Sequence, residues 1–212
     1  TGGYIGYTRT TSNLREAVNR NKVEGKAYIG GIVGCGYSSN LYYCENYGTI
    51  VSTATITESD VAYSYVGGLA GYCALISNCK NTVNITGSGA RVGGLAGYVT
   101  GTISSSQNDG NVAGKNYTGG LAGYITGNIT ECSNNGDVIG ENYTGGITGY
   151  FSASKVDSFI NVGDVTGSNY VGSFIGYSYN TLEISASENT ANITSSGDYV
   201  GSLIGQVRTN TT

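Results

Sequence analysis

Val92-Gly93-Gly94-Leu95-Ala96-Gly97-Tyr98 is the stretch on which the reading of this chain turns. Its Gly-Gly step recurs at Gly2-Gly3, Gly30-Gly31, Gly67-Gly68, Gly119-Gly120 and Gly145-Gly146, and as Gly-Ser at Gly172-Ser173 and Gly201-Ser202. Successive copies lie 28, 37, 26, 26, 26, 27 and 29 residues apart. A period in this range marks stacked supersecondary units, each too small to bury its own apolar face.

Two further columns run in step with the first. Asn recurs at Asn19, Asn46, Asn81, Asn108, Asn134, Asn161 and Asn189. Four residues after each stands Val23, Ile50, Ile85, Val112, Val138, Val165 or Ile193, and five before each stands Leu14, Leu41, Ile76, Ile103, Ile129, Val156 or Ile184. The apolar segments are too short for helices, and β-branched residues dominate two of them. Gly, Asn, Asp, Ser and Thr fill the gaps, as turns require. The expected fold is therefore all-β, a parallel β-helix or β-solenoid of about 7–8 coils of ~26 residues. It has three short strands per coil and, from the usual hand of parallel crossovers, a right-handed path. Equivalent residues stack ~4.8 Å apart, giving a rod roughly 35 Å long.

The columns assign roles. Gly-Gly calls for positive φ or a close backbone approach. Asn at a coil corner suits the left-handed region, and its amide can bond to the Asn of the next coil. Tyr7, Tyr72, Tyr98, Tyr124, Tyr150 and Tyr177 follow the glycines, and Tyr28, Tyr65, Tyr117, Tyr143, Tyr170 and Tyr199 precede them. Ring packing along the ladder explains these tyrosines; a sugar-binding aromatic strip is the functional alternative.

The run V-G-G-L-A-G-Y followed by T-I-S-x-[SC]-x-N-x-G-[ND]-V-x-G resembles the GLUG repeat, best at residues 92–114, 118–140 and 144–167. Such repeats occur in large secreted and cell-surface proteins, including bacterial adhesin-like proteins and the region ahead of the catalytic domain in immunoglobulin-A-cleaving metallopeptidases. The resemblance implies a β-solenoid in an extracellular or cell-surface setting, and it brings no catalytic residues.

One domain, residues 1–212, accommodates the repeats. Within it, 1–29 form a charged, atypical first coil or cap, 51–64 a loop insertion, 66–167 the most regular repeats and 200–212 a last partial coil. Net charge is −4 and charged residues make up 11%, which argues against nucleic acid as a partner. Apolar runs are too short to span a membrane. A start inside the Gly-Gly motif, with no Met in the chain, is expected of a processed protein or a segment of a longer one. Residues 9–26 carry five of the ten basic side chains and two acids, a positive end that either caps the open sheet edge or docks on the next subunit. Ser12–Val18 is expected to form a short helical turn capped by Ser12 or Asn13. The insertion is expected to be a surface loop, with an extra hairpin or a binding face as alternatives.

The cysteines are Cys35, Cys44, Cys73, Cys79 and Cys132. Cys44, Cys79 and Cys132 share one column with Ser106 and Ser187, two residues before the ladder Asn, so that position is expected to demand a small side chain. Within-coil bridges Cys35–Cys44 and Cys73–Cys79 are favoured; between-coil Cys35–Cys73 with Cys44–Cys79 is the competitor, and Cys132 is left free or intermolecular. Bridges imply an oxidising compartment. Glycosylation sequons stand at Asn84, Asn116, Asn128, Asn142, Asn192 and Asn210.

Without His there is no imidazole base or His-metal motif. Asp137 and Asp164 align, but their column holds Asn84, Asn111 and Asn192, so they read as turn residues rather than as a carboxylate pair or a calcium site. No enzyme activity, cofactor or metal is expected. The leading expectation is an extracellular structural solenoid, a fibre subunit or stalk of a large surface protein, associating end to end or with neighbouring segments of a longer chain. The alternatives are a carbohydrate- or host-binding adhesin domain and the non-catalytic region of a secreted protease or glycan-degrading enzyme.

Overall fold

A computed structural model describes residues 1–53 and 64–208, and it is a parallel β-solenoid with no helix among the described residues. One sheet contains eight parallel strands in sequence order, from Ile5–Thr8 to Ile204–Val207, so eight passes bound seven full turns. A second sheet of seven runs from Ile29–Gly30 to Val200–Gly201. Registers match the sequence columns: Tyr98 pairs with Tyr124, Ile103 with Ile129, Asn108 with Asn134 and Val112 with Val138.

The coil bends more often than its apolar pattern suggests. A regular turn holds five strands, Arg91–Gly93, Ala96–Val99, Ile103–Ser104, Gln107–Asn108 and Val112–Ala113, not three. The Gly-Gly-Leu-Ala run breaks at a corner where the Leu121 carbonyl accepts from both Leu95 N (2.9 Å) and Ala96 N (3.0 Å). The Ile-to-Asn segment bends at a left-handed residue three positions before the ladder Asn, breaking the strand in most coils but not in Ile129–Asn134 or Lys155–Asn161. That residue is Glu16, Tyr43, Asn78, Ser105, Glu131, Ser158 or Ala186, with φ between 46° and 56° in all seven coils. The left-handed corner is thus separate from the ladder Asn, contrary to expectation.

Glycine serves close approach rather than positive φ, since no described glycine has φ above zero. A Cβ on Gly120 would lie 2.1 Å from Gly146 O and 2.4 Å from Asn134 Cγ. The room so spared is occupied by the ladder amide. Asn108 Nδ2 donates to Gly110 O (2.7 Å) and to Asn134 Oδ1 (2.9 Å), and Asn134 repeats this toward Gly136 O and Asn161 Oδ1. Asn46, Asn81, Asn108, Asn134 and Asn161 are fully buried, so each amide needs partners, and each has them.

The apolar columns fill the interior: Leu69, Leu95, Leu121, Ile147 and Phe174 form one, Ile76, Ile103, Ile129 and Val156 another. Each such side chain, fully buried, contributes about 1.5–3 kcal/mol. The expected small-residue column is not uniformly small. Phe159 occupies it, fully buried and edge-on to Phe174 at 5.3 Å, because Phe174 stands where other coils carry Leu or Ile and the enlarged aromatic pair fills one layer.

Near the N-terminus the expected helical turn is absent. Ser12–Arg15 is a strand in register with Ser39–Tyr42, and Asn13 Oδ1 accepts from Asn40 Nδ2 (2.9 Å) instead of capping a helix. Pairing of Leu14 with Leu41 overrides the local capping signal. The expected hairpin of the 51–64 insertion falls on residues 54–63, outside the described residues. On either side of it the valine face is two separate sheets, Val23–Gly25 with Ile50–Ser52 and a five-stranded sheet from Ile85–Thr86 to Ile193–Ser195.

Candidate functional site

The two tyrosine columns meet along one edge of the solenoid. The first belongs to the eight-stranded sheet, where Tyr72, Tyr98, Tyr124, Tyr150 and Tyr177 align in register. Cys35 interrupts that column, pairing with both Tyr7 and Tyr72. Tyr37, two residues on, swings its ring into the gap, 6.2 Å from Tyr7 and 4.9 Å from Tyr72. The second column lies two residues before each Gly-Gly, and Arg91 interrupts it, in register with Tyr65 and Tyr117.

Arg91 stands among four rings. Its guanidinium lies 4.6 Å from the Tyr65 centroid, 5.0 Å from Tyr124, 5.3 Å from Tyr98 and 5.8 Å from Tyr117. Its Nε is buried with no hydrogen-bond acceptor among the described residues. Ring quadrupoles therefore supply much of what holds this cation. Farther along, rings stack face to face: Tyr143–Tyr170 at 4.6 Å and 10°, Tyr170–Tyr199 at 4.7 Å and 0°, Tyr124–Tyr150 at 4.4 Å and 10°. Burial pushes up the phenols of Tyr72, Tyr124 and Tyr143, Tyr72 to about 12, with the charge of neighbouring phenols adding to it. Tyr65 is raised by burial against the opposing pull of Arg91. Arg91 is the stripe's charge, and the stacked ring faces are covered by one another.

Coil geometry and columns together delimit a repeating unit of one turn. Residues 114–139 match the GLUG motif. That turn is a GLUG repeat. The matched GLUG unit closes one turn, since Ile139 at its end pairs with Ala113 just before its start. No curated protein and no solved structure matches the chain.

The remaining candidates take their places on the coils. Asn84, Asn111, Asp137 and Asp164 each accept, through Oδ1, the backbone N–H of the equivalent residue one coil on, at 2.9, 2.9, 3.0 and 2.8 Å. Asp137 and Asp164 are exposed staples between turns, and among the described residues no three Cys, Asp or Glu gather as a metal site would require. Of the sequons, Asn84, Asn128 and Asn192 are exposed. Asn116 and Asn142 are half-buried at a corner where Asn142 Nδ2 donates to Asn116 Oδ1 (3.5 Å) and Asn169 Nδ2 to Asn142 Oδ1 (3.2 Å). Asn210 lies outside the described residues.

All five cysteines are free thiols. Cys35 belongs to the outward tyrosine column while Cys44 lies in the core, so the sheet separates the favoured Cys35–Cys44 pair. Cys35 aligns with Tyr72 rather than Cys73, which puts the Cys35–Cys73 pair on opposite faces as well. Cys73 is wholly buried in the apolar core, which pushes its thiol well up. Cys132 is buried too, its thiol donating to Thr130 O (3.1 Å), and burial raises it to about 12.

Sequence reasoning missed Arg91. The signal was its position two residues before Gly93, where every other complete coil carries Tyr.

Proposed function

We propose that this chain is a non-catalytic structural rod of a large extracellular or cell-surface protein, serving as a stalk segment or fibre subunit. The observation that carries this reading is the unbroken register of the Asn ladder, whose amides point one way from Asn19 to Asn189. Asn19 Oδ1 is the acceptor end and Asn189 Nδ2 the donor end, so each suits the next coil of a longer chain or of a second copy. The first coil is basic (five Lys and Arg against two Glu in 9–26), whereas the described residues from 180 on carry Glu183, Glu188 and Asp198 against Arg208. Opposite charge at opposite ends favours head-to-tail stacking over head-to-head.

The sugar-binding alternative draws less support. Carbohydrate platforms need free ring faces, and much of this stripe spends its faces on ring-to-ring and ring-to-arginine packing. Electron microscopy of the native material tests the proposal. Filaments, or rods joined to larger globular parts, are the expected images; a globular particle with no rod would overturn it.

A further inference from the structure

Two cysteines in the solenoid interior stand one above the other across a coil boundary. Cys44 and Cys79 each precede residues that pair in register, Glu45 with Lys80 and Asn46 with Asn81. Neighbouring strands run ~4.8 Å apart, inside the Cα separation of about 4.4–6.8 Å that a disulfide spans. Cys79 Sγ is turned toward the Cys44 coil, while the Cys44 thiol donates to Leu14 O (3.6 Å) and Tyr42 O (3.4 Å), so closing the bond takes a rotation of the Cys44 side chain. Cys44 N donates to Cys79 Sγ at 3.3 Å, which places that sulfur beneath the Cys44 coil. The Cys79 thiol donates to Ser77 O at 3.2 Å, and its closeness draws the Cys44 thiol down while Cys79 is pushed up. Cys132 has no such neighbour, since Ser106 and Phe159 stand in its column on either side.

We propose that Cys44 and Cys79 form a disulfide between successive coils when the chain folds in the presence of a small-molecule disulfide oxidant. Cys44 thiolate attacks one sulfur of the oxidant RSSR, forming Cys44–S–S–R and releasing one RS⁻. Cys79, giving up its proton to that leaving thiolate, attacks Cys44 Sγ and expels the second RS⁻, which takes the proton lost by Cys44. Two protein thiols are oxidised by two electrons, and one RSSR is reduced to two RSH. Both sulfurs are almost fully buried, at 0% and 2% exposure, so the reaction belongs to folding, before the coils close. The bond ties together the two coils flanking the longest interval in the repeat, the 37 residues between Gly30 and Gly67. It is independent of whether the rod is stalk or fibre.

The test is to unfold the reduced protein, refold it with reduced and oxidised glutathione, and count thiols in denaturant. The expected count falls from five to three, five less the two that pair. Trypsin leaves Cys35, Cys44, Cys73 and Cys79 on one fragment between Lys26 and Lys80, whereas chymotryptic cuts after Tyr37, Tyr43, Tyr72 and Leu75 part all four. The linked chymotryptic pair should contain Cys44 and Cys79, and Tm should rise by several degrees over the reduced form. Cys44→Ser and Cys79→Ser should each abolish the link and the rise, while Cys132→Ser should keep both. Serine is tolerated in this column, as Ser106 and Ser187 show, so these variants fold. Five free thiols after refolding, or a link between any other pair, would overturn the assignment.

Discussion

The tyrosine stripe is built in two ways. Around Arg91 its second column runs as ordinary strand, Tyr65–Gly67, Arg91–Gly93 and Tyr117–Gly119, and rings meet edge-on, as Tyr72–Tyr98 at 72° and Tyr98–Tyr124 at 63°. The same column is left-handed at Tyr28 (φ 48°), whose ring meets Tyr65 at 74°, and again from Tyr143 onward, φ 49° at Tyr143, 55° at Tyr170 and 62° at Tyr199, where the rings lie parallel. Their 4.6–4.7 Å spacing is close to the ~4.8 Å rise of a sheet, so each ring rides directly on the next coil's ring. A cation between rings favours edges and faces turned toward charge; identical rings in register favour stacking. Ring geometry thus follows the neighbours within a column and not the backbone conformation alone, since Tyr117, outside the left-handed region, also stacks on Tyr143 at 19°.

The largest effect should come from the element both regions share. Asn134→Leu leaves an Asn108 donor and the Asn161 Oδ1 acceptor buried and unpaired, which costs about 4 kcal/mol. The urea midpoint should drop accordingly, and protection should fall in the coils on both sides. Next comes Tyr170→Ala, which strips ring contacts from Tyr143 and Tyr199 together. A loss of about 2–3 kcal/mol confined to the stacked region is expected, and hydrogen exchange that loosens the Arg91 region equally would break the comparison.

Arg91→Ala should cost about 1–2 kcal/mol. Arg91→Tyr should restore most of that, and its near-ultraviolet dichroism should show whether an unbroken ring column forms. Alkaline titration sharpens the contrast further. Folding raises the Tyr72 phenol from its ordinary value near 10 to about 12, so the native state holds that proton longer than the unfolded chain. Its contribution to stability is full below pH ~10 and is lost as pH rises toward about 12. The Tyr72 share of the phenolate absorbance, read as the difference between the wild type and Tyr72→Phe, should therefore appear late and together with unfolding; a Tyr72 share that appears near pH 10 with the fold intact would contradict its burial. The smallest change isolates backbone strain without a ring. Ser105→Gly, at φ 46°, should stabilise by up to about 1 kcal/mol in thermal unfolding.

The solenoid and its columns were legible because stacking turns sequence period into spatial adjacency: Asn108 and Asn134 are 26 residues apart and hydrogen-bonded. The corners were not, because the left-handed residue is Glu16, Tyr43 or Ala186 and never the glycine that would flag it. Phe159 escaped because the ring it packs on, Phe174, stands in a different column, which no single column reveals. Ser12–Arg15 misled because a local cap signal was read where a partner strand decides. Cysteine pairing needed the outward or inward parity of each column, which spacing alone does not fix.

The coil period also sets how the molecule meets force. Load applied along the axis falls on one boundary between turns at a time, since each coil bonds chiefly to the coils directly before and after it. Detaching a 26-residue turn frees roughly 85–95 Å of slack chain. Extension should then proceed as a run of near-equal teeth, broken by one long step at the 37-residue interval. A covalent tie between Cys44 and Cys79 would remove much of that long step, leaving a tether that lengthens in nearly uniform increments.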